Sequence, residues 1–139
     1  MSIKAFALVF GIVFLVAGIA GFIPGISPMH HHPDLVITSQ SRLALGLFPV
    51  NILHNLVHIL FGLWGLAAAR AAGGARVYAK AVAIIYGLLT VMGLIPGLNT
   101  TFGLVPLYGH DIWLHALLAL VAAYFGFAHR EASEPHMKR

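Results

Sequence analysis

Long runs of apolar residues, separated by shorter polar connections, dominate the pattern of the chain. Each run is long enough to cross about 30 Å of hydrocarbon as a helix that rises 1.5 Å per residue. Pro24-Gly25 and Pro96-Gly97 follow the first and third runs, and such pairs are typical of helix ends. The pattern predicts four transmembrane helices, at residues 3–23, 49–70, 77–95 and 106–127.

Composition supports this prediction. The chain has 139 residues, of which 60% are hydrophobic and 9% charged, and its mean hydropathy is +0.91. A soluble domain of this size cannot bury so much apolar surface, so we expect a single transmembrane domain over residues 1–139. The absence of cysteine excludes disulfides, thiolate metal sites and cysteine nucleophiles. An alternative for the first run is a cleaved signal peptide, with Gly18-Ile19-Ala20 as the cleavage site.

An internal repeat relates the two halves of the chain. Gly21-Phe-Ile-Pro-Gly25 matches Gly93-Leu-Ile-Pro-Gly97 at an offset of 72 residues, and Gly46-Leu-Phe-Pro49 matches Gly103-Leu-Val-Pro106 at an offset of 57. The first half contains an insertion, so residues 26–47 form a long outer loop, in which we expect a short interfacial helix near Leu43. The predicted fold class is therefore an all-α membrane protein, a four-helix bundle made of two parallel-repeat hairpins at about 3–70 and 77–128.

The distribution of cations predicts the orientation in the membrane. Seven of the eight Lys and Arg residues lie at the N-terminus, in the Ala71–Arg76 connection or its flanks, or at the C-terminus, whereas Arg42 alone lies in the other connections. Positive charge is enriched on the cytoplasmic side, so both termini and the tail 129–139 should be cytoplasmic. His30-His31-His32 should then lie outside, more as an exposed loop than as a site.

Polar residues form a stripe on the second helix. Spacings of three and four place them on one helix face: Asn51, His54, His58, Gly62, Gly65 and Ala69. The offset of 57 maps this stripe onto the fourth helix as Tyr108, Asp111, His115, Ala119, Ala122 and Gly126. Ionisable residues are costly in lipid and usually functional, so we expect both stripes to face the bundle interior.

These stripes are candidates for a ligand site. His54 with His58, and Asp111 with His115, each place two metal ligands on one helix face, and this donor set suits a zinc, copper or iron ion. Alternatively, His58 and His115 are axial ligands of a haem, or one of them binds a chlorophyll. Two further interpretations need no cofactor, namely hydrogen bonding across the bundle and proton handling.

The motif His54-Asn-Leu-Val-His58-Ile-Leu-Phe-Gly62, with Asp111-Ile-Trp-Leu-His115 and the two Pro-Gly helix ends, resembles an uncharacterised family of small bacterial four-pass membrane proteins. That family is classed only as a domain of unknown function. The resemblance implies a four-helix bundle in a bacterial membrane, either cytoplasmic or thylakoid, and it implies no activity.

The sequence contains no phosphate-binding loop, GxSxG elbow or HExxH motif, so we do not expect an enzyme. The net charge of +4 follows from the positive-inside bias, so we do not expect a nucleic-acid partner. We favour an accessory subunit of a larger membrane complex, with a ligand at the outer-leaflet histidines as an additional role. Its partner surface would include outward aromatic residues, for example Phe6, Phe10, Phe14, Trp64 and Phe125. The alternative is a metal- or tetrapyrrole-binding membrane module.

Overall fold

The computed structural model describes residues 1–132, and residues 133–139 of the predicted tail lie outside this range. Within it the chain is helical, with one small β-hairpin in the first long connection. A π-helical turn, Tyr124–Ala128, continues the last helix. The elements, in chain order, are α1 (Ile3–Ala20), β1 (Arg42–Ala44), β2 (Phe48–Val50), α2 (Ile52–Ala68), α3 (Ala72–Gly93) and α4 (Asp111–Ala123).

Three helices of the described chain are long and apolar enough to cross a membrane: α1, α3, and α4 together with the π-helical turn. The remaining helix, α2, is apolar but has only 17 residues. Their outer faces are apolar, and the exposed residues include Val16, Leu60 and Leu120. A lipid bilayer is the environment that such surfaces require.

Glycines bring α1 and α2 into close contact. A Cβ atom added to Gly11 would lie 2.8 Å from the Leu66 nitrogen and 2.9 Å from the Gly62 carbonyl oxygen. One added to Gly65 would lie 2.7 Å from the Gly11 Cα atom. Small residues let membrane helices pack backbone to backbone, where dispersion contacts replace the missing hydrophobic driving force. The small residues of the predicted α2 stripe, Gly62 and Gly65, therefore form a helix-packing surface.

The core is aromatic, and here one expectation was wrong. Phe6, Phe10, Phe14 and Phe125 are at most 9% exposed, so they cannot form the outward surface predicted for them; Trp64, at 40%, is exposed. The rings of Phe6 and Phe125 stack at 4.7 Å. Because glycines occupy the α1–α2 contact, large rings on the next face of α1 fill the space towards α3 and α4.

Several predicted helix boundaries were also wrong. Pro49 pairs with Leu43 in the hairpin, and α2 begins three residues later because Asn51 caps it. Helix α3 begins at Ala72, so Gly73-Gly74 lies inside a helix rather than in a turn. Helix α4 begins at Asp111, after an irregular segment that follows Gly103. Apolar runs reveal where the chain enters hydrocarbon, but capping decides where each helix begins.

The outer connection contains the hairpin instead of the short helix expected near Leu43. Strands β1 and β2 are antiparallel, with Arg42 opposite Val50 and Ala44 opposite Phe48. Leu45 and Gly46 both have positive φ, at 55° and 71°. Two successive residues of positive φ form the tight turn that suits the twist of a hairpin, and glycine supplies one of them without strain.

Candidate functional site

The site begins at the cap of α2. The Asn51 side-chain oxygen accepts a hydrogen bond from the His54 backbone N–H at 3.0 Å. Its amide nitrogen donates to the carbonyl oxygens of Ile37 and Leu104, at 3.0 and 2.7 Å. Asn51 is fully buried. This one side chain therefore starts the helix that carries the histidines and fixes it to both long connections, a role that its place on the stripe did not reveal.

The ring of His54 is held at both nitrogens. Its Nδ1 atom lies 3.1 Å from the Pro49 carbonyl oxygen, and its Nε2 atom lies 3.1 Å from Nε2 of His58. A carbonyl oxygen can only accept, so Nδ1 of His54 carries the proton and, in the neutral ring, Nε2 has a free lone pair. That lone pair accepts from His58 and points into the bundle.

Helix α4 presents Asp111 and His115 to these histidines. The Asp111 Oδ2 atom lies 3.8 Å from Nδ1 of His54, and both side chains are buried. His115 is 1% exposed, and within residues 1–132 neither of its ring nitrogens has a hydrogen-bond partner. A buried polar group normally has a partner, so two orphaned nitrogens on one ring require an explanation.

Three imidazoles converge at this point. His54, His58 and His115 each offer one nitrogen, and these atoms all lie within 4.8 Å of one another. In a tetrahedral zinc site with bonds of 2.0–2.1 Å, the ligand nitrogens are about 3.3–3.4 Å apart. The 3.1 Å between the two α2 histidines is already close to this separation. Asp111 is not in this group, and its carboxylate lies instead next to Nδ1 of His54, the ring nitrogen that does not face His58.

A cavity of about 180 Å³ adjoins the three imidazoles. Apart from the histidines and Thr101, its walls are carbon-rich side chains: Val57, Phe61, Ile85, Tyr86, Leu89, Val105 and Leu107. A group held by the three imidazoles would have free space on this side.

Two aromatic residues enclose the histidine cluster, a role that the sequence did not reveal for either of them. The ring of Tyr86 contacts His115 edge to face at 5.1 Å, and the ring of Phe14 contacts His58 at 5.5 Å. Both rings are about 1% exposed and lie 5.2 Å from each other. The signal was present in the chain, because the offset of 72 residues relates Phe14 to Tyr86.

The outer histidines lie apart from the cluster. His30 and His31 are exposed, as expected, but His32 is 2% exposed. Its Nε2 atom lies 3.1 Å from the Arg42 carbonyl oxygen, and its Nδ1 atom accepts from the Tyr108 hydroxyl at 2.7 Å. Burial lowers the pKa of His32 and raises the pKa of Tyr108. Both ring nitrogens of His32 are used, so this histidine fixes the loop.

The remaining predicted residues of the two stripes are placed as follows. Gly62, Gly65, Ala119, Ala122 and Gly126 are buried, whereas Ala69 and Tyr108 are half-buried. Asn55, which was not on the stripe, is 1% exposed, and a Cβ atom on Gly21 would overlap its side chain. The interior face of α2 is thus wider than the predicted stripe.

Comparison with known proteins agrees with the family resemblance. No curated protein and no solved structure matches the chain significantly. One family model matches nearly all of the helical region, including every residue of the histidine cluster. Over residues 4–128 the chain belongs to the family described as Domain of unknown function (DUF4383).

Proposed function

We propose that this protein is a metal-binding integral membrane protein, in which His54, His58 and His115 hold one transition-metal ion and leave a fourth position open. The donor set of three neutral imidazoles suits zinc, copper or iron. An open fourth position is the arrangement of metal sites that bind or activate a further ligand, rather than of closed structural sites.

The observation that carries this proposal is the pair of partnerless nitrogens on buried His115 beside two further imidazoles. A histidine that served only to join helices would make a hydrogen bond across the bundle, because an unpaired buried polar group costs about 1–3 kcal/mol. A metal ion supplies the missing partner. To reach tetrahedral spacing, the most distant nitrogens need to approach by at most about 1.5 Å, from 4.8 Å to about 3.3 Å.

The surroundings of His54 fit the role of a metal ligand. Ligating histidines usually donate their second N–H to a carbonyl or carboxylate, which fixes the ring. Pro49 provides the carbonyl, and Asp111 provides a carboxylate 3.8 Å from the same nitrogen. We therefore propose that Asp111 orients His54, although the sequence alone placed it among the ligands.

The size of the cavity favours an ion over a tetrapyrrole. Its volume of about 180 Å³ lies below the roughly 300–1,000 Å³ typical of sites for drug-sized ligands. A haem between His58 and His115 would also have to displace the His54 ring, because the Nε2 atom of His54 lies 3.1 Å from Nε2 of His58.

The test is metal binding by protein purified without a histidine tag. Elemental analysis and titration should give one ion per chain for the parent. His115→Ala should weaken binding by roughly two to three orders of magnitude, since the 10–16 kcal/mol of a four-ligand zinc site is about 2.5–4 kcal/mol for each ligand. His110→Ala is the matched control, because His110 is exposed and outside the cluster. Equal affinity in the parent and His115→Ala would overturn the proposal.

We also propose that the fold is a four-span bundle of two parallel repeats. Helix α2 would be the fourth span. It is short because Asn51 caps it and the residues before Asn51 form a strand of the hairpin. Residues related by the repeat offsets meet in pairs, which supports an approximate twofold axis along the membrane normal. These pairs are Phe6 with Tyr78, Phe14 with Tyr86, His54 with Asp111, and His58 with His115.

In this arrangement both termini would be cytoplasmic and the site would lie near the outer surface of a bacterial membrane. The chain has no cysteine, so single-cysteine variants report cleanly. Cysteine in place of Ser39, in the outer connection, should react with an impermeant reagent in intact cells, whereas cysteine in place of Ser2 should be protected. The reverse pattern would contradict the orientation.

An accessory role in a larger complex stays a prediction. Four of the five aromatic residues named for its partner surface are buried, and Trp64 alone of them remains exposed. The exposed apolar faces suit lipid and protein equally, so the metal site carries the functional proposal.

A further inference from the structure

We propose that the cavity beside the histidines takes a small single-ring aromatic molecule with one polar donor atom, of the phenol class, and that this molecule enters from the lipid phase. The inference rests on the proposed metal site for one detail, namely that the donor atom occupies the open coordination position.

The size of the cavity limits the ligand to about one ring. An engineered cavity of about 150 Å³, lined by Leu, Ile and Phe, stays dry and binds benzene or xenon. The present cavity, at about 180 Å³, has comparable walls with room for a further heavy atom. A second ring would have to extend out of the cavity.

The chemistry of the walls demands an apolar body with a polar tip. Carbon-rich side chains line most of the cavity, and the three imidazoles that also line it have nitrogens within 4.8 Å of one another. His115 has two buried nitrogens without a partner in the described chain, so one end of the cavity lacks the group that would satisfy them. A phenolic hydroxyl can donate to an imidazole lone pair, and its oxygen can bind a metal ion. A carboxylate on the ring would be excluded, because burying a charge among these walls is costly.

The most exposed residues that line the cavity lie on α2 and α3. Val57 and Ile85 are 38% and 37% exposed, whereas Thr101 and Val105 in the loop after α3 are half-buried and Leu107 is 2% exposed. At a rise of 1.5 Å per residue, Val57 lies about 8 Å from the start of α2 and Ile85 lies about 12 Å from the end of α3. Both of these helix ends adjoin the outer connections. The mouth therefore opens at the depth of the acyl chains, where apolar aromatic molecules accumulate.

The binding test uses 4-fluorophenol and ¹⁹F NMR on metal-free protein in detergent. We expect saturable binding that excess phenol competes away, and no binding of 4-fluorobenzoate. Ile85→Trp should fill the mouth and weaken binding by about tenfold or more, a loss of about 1.4 kcal/mol. Ile84→Trp is the matched control, because Ile84 is 64% exposed on the same helix and does not line the cavity.

Two results would overturn the cavity proposal: no saturable binding by the parent, or equal binding by the parent and Ile85→Trp. The coordination detail is tested separately on Co²⁺-loaded protein, whose visible spectrum should shift on addition of 4-fluorophenol. Binding without such a shift would overturn the coordination detail. Failure to take up Co²⁺ would instead contradict the metal site, while the ¹⁹F result would still decide whether the cavity binds aromatic rings.

Discussion

Replacement of His115 by phenylalanine tests whether its ring nitrogens are without a partner in the metal-free protein. Phenylalanine keeps a planar ring against Tyr86, 5.1 Å away, and the adjoining cavity of about 180 Å³ accepts the extra volume. The change removes a donor and an acceptor that are buried with no protein partner in residues 1–132. Metal-free His115→Phe should therefore be more stable than the parent.

The expected gain is about 1–3 kcal/mol, the cost of leaving a buried polar group unsatisfied. His58→Phe is the matched control, since its Nε2 atom bonds Nε2 of His54 at 3.1 Å. Its loss orphans the His54 nitrogen, so this variant should lose stability by about the same amount. The two substitutions are identical in chemistry and should have opposite signs.

Reversible unfolding in mixed micelles, with a chelator present, measures both variants. Repetition at saturating Zn²⁺ should stabilise the parent and neither variant, because ligand binding to the folded state raises stability by mass action. If metal-free His115→Phe is less stable than the parent, His115 has a partner, and the argument from its orphaned nitrogens fails.

Two further predictions concern the framework around the site. Gly65→Val should abolish α1–α2 packing, because a Cβ atom at this position would lie 2.7 Å from Gly11 Cα. Gly87→Ala is the control, because a Cβ atom there would meet nothing within 4 Å in the described structure. A thermal melt should show that Gly87→Ala stabilises the protein by about 0.5–1 kcal/mol. Burial lowers the folded-state pKa of His32, so the unfolded state binds more protons and stability should fall as pH drops below 6.5. The protection factors of amides in the outer connection, which correct for the pH dependence of intrinsic exchange, should therefore fall between pH 7.5 and 5, and protection that rises over this range would contradict this.

The apolar runs determined the helical membrane class without help from the structure, because hydrocarbon requires every backbone group to be paired within a helix. The sequence similarly indicated the family. The short-range spacing of His54 and His58 also fixed their common face, since helix geometry is local. These conclusions depend on covalent order and on the properties of the bilayer as a solvent.

Only the tertiary structure decided which way the α1 phenylalanines face and what stands beside each histidine. Phe14 sits in an apolar helix whose hydrophobic pattern is almost uniform, so lipid-facing and core-facing sides look alike in the sequence. The separation of His115 from its neighbours, the position of Asp111 next to His54 and the cavity beside them depend on how the α1–α2 pair and the α3–α4 pair come together. That packing is set by glycine contacts and ring shapes between distant segments, and residue spacing along one helix does not encode it.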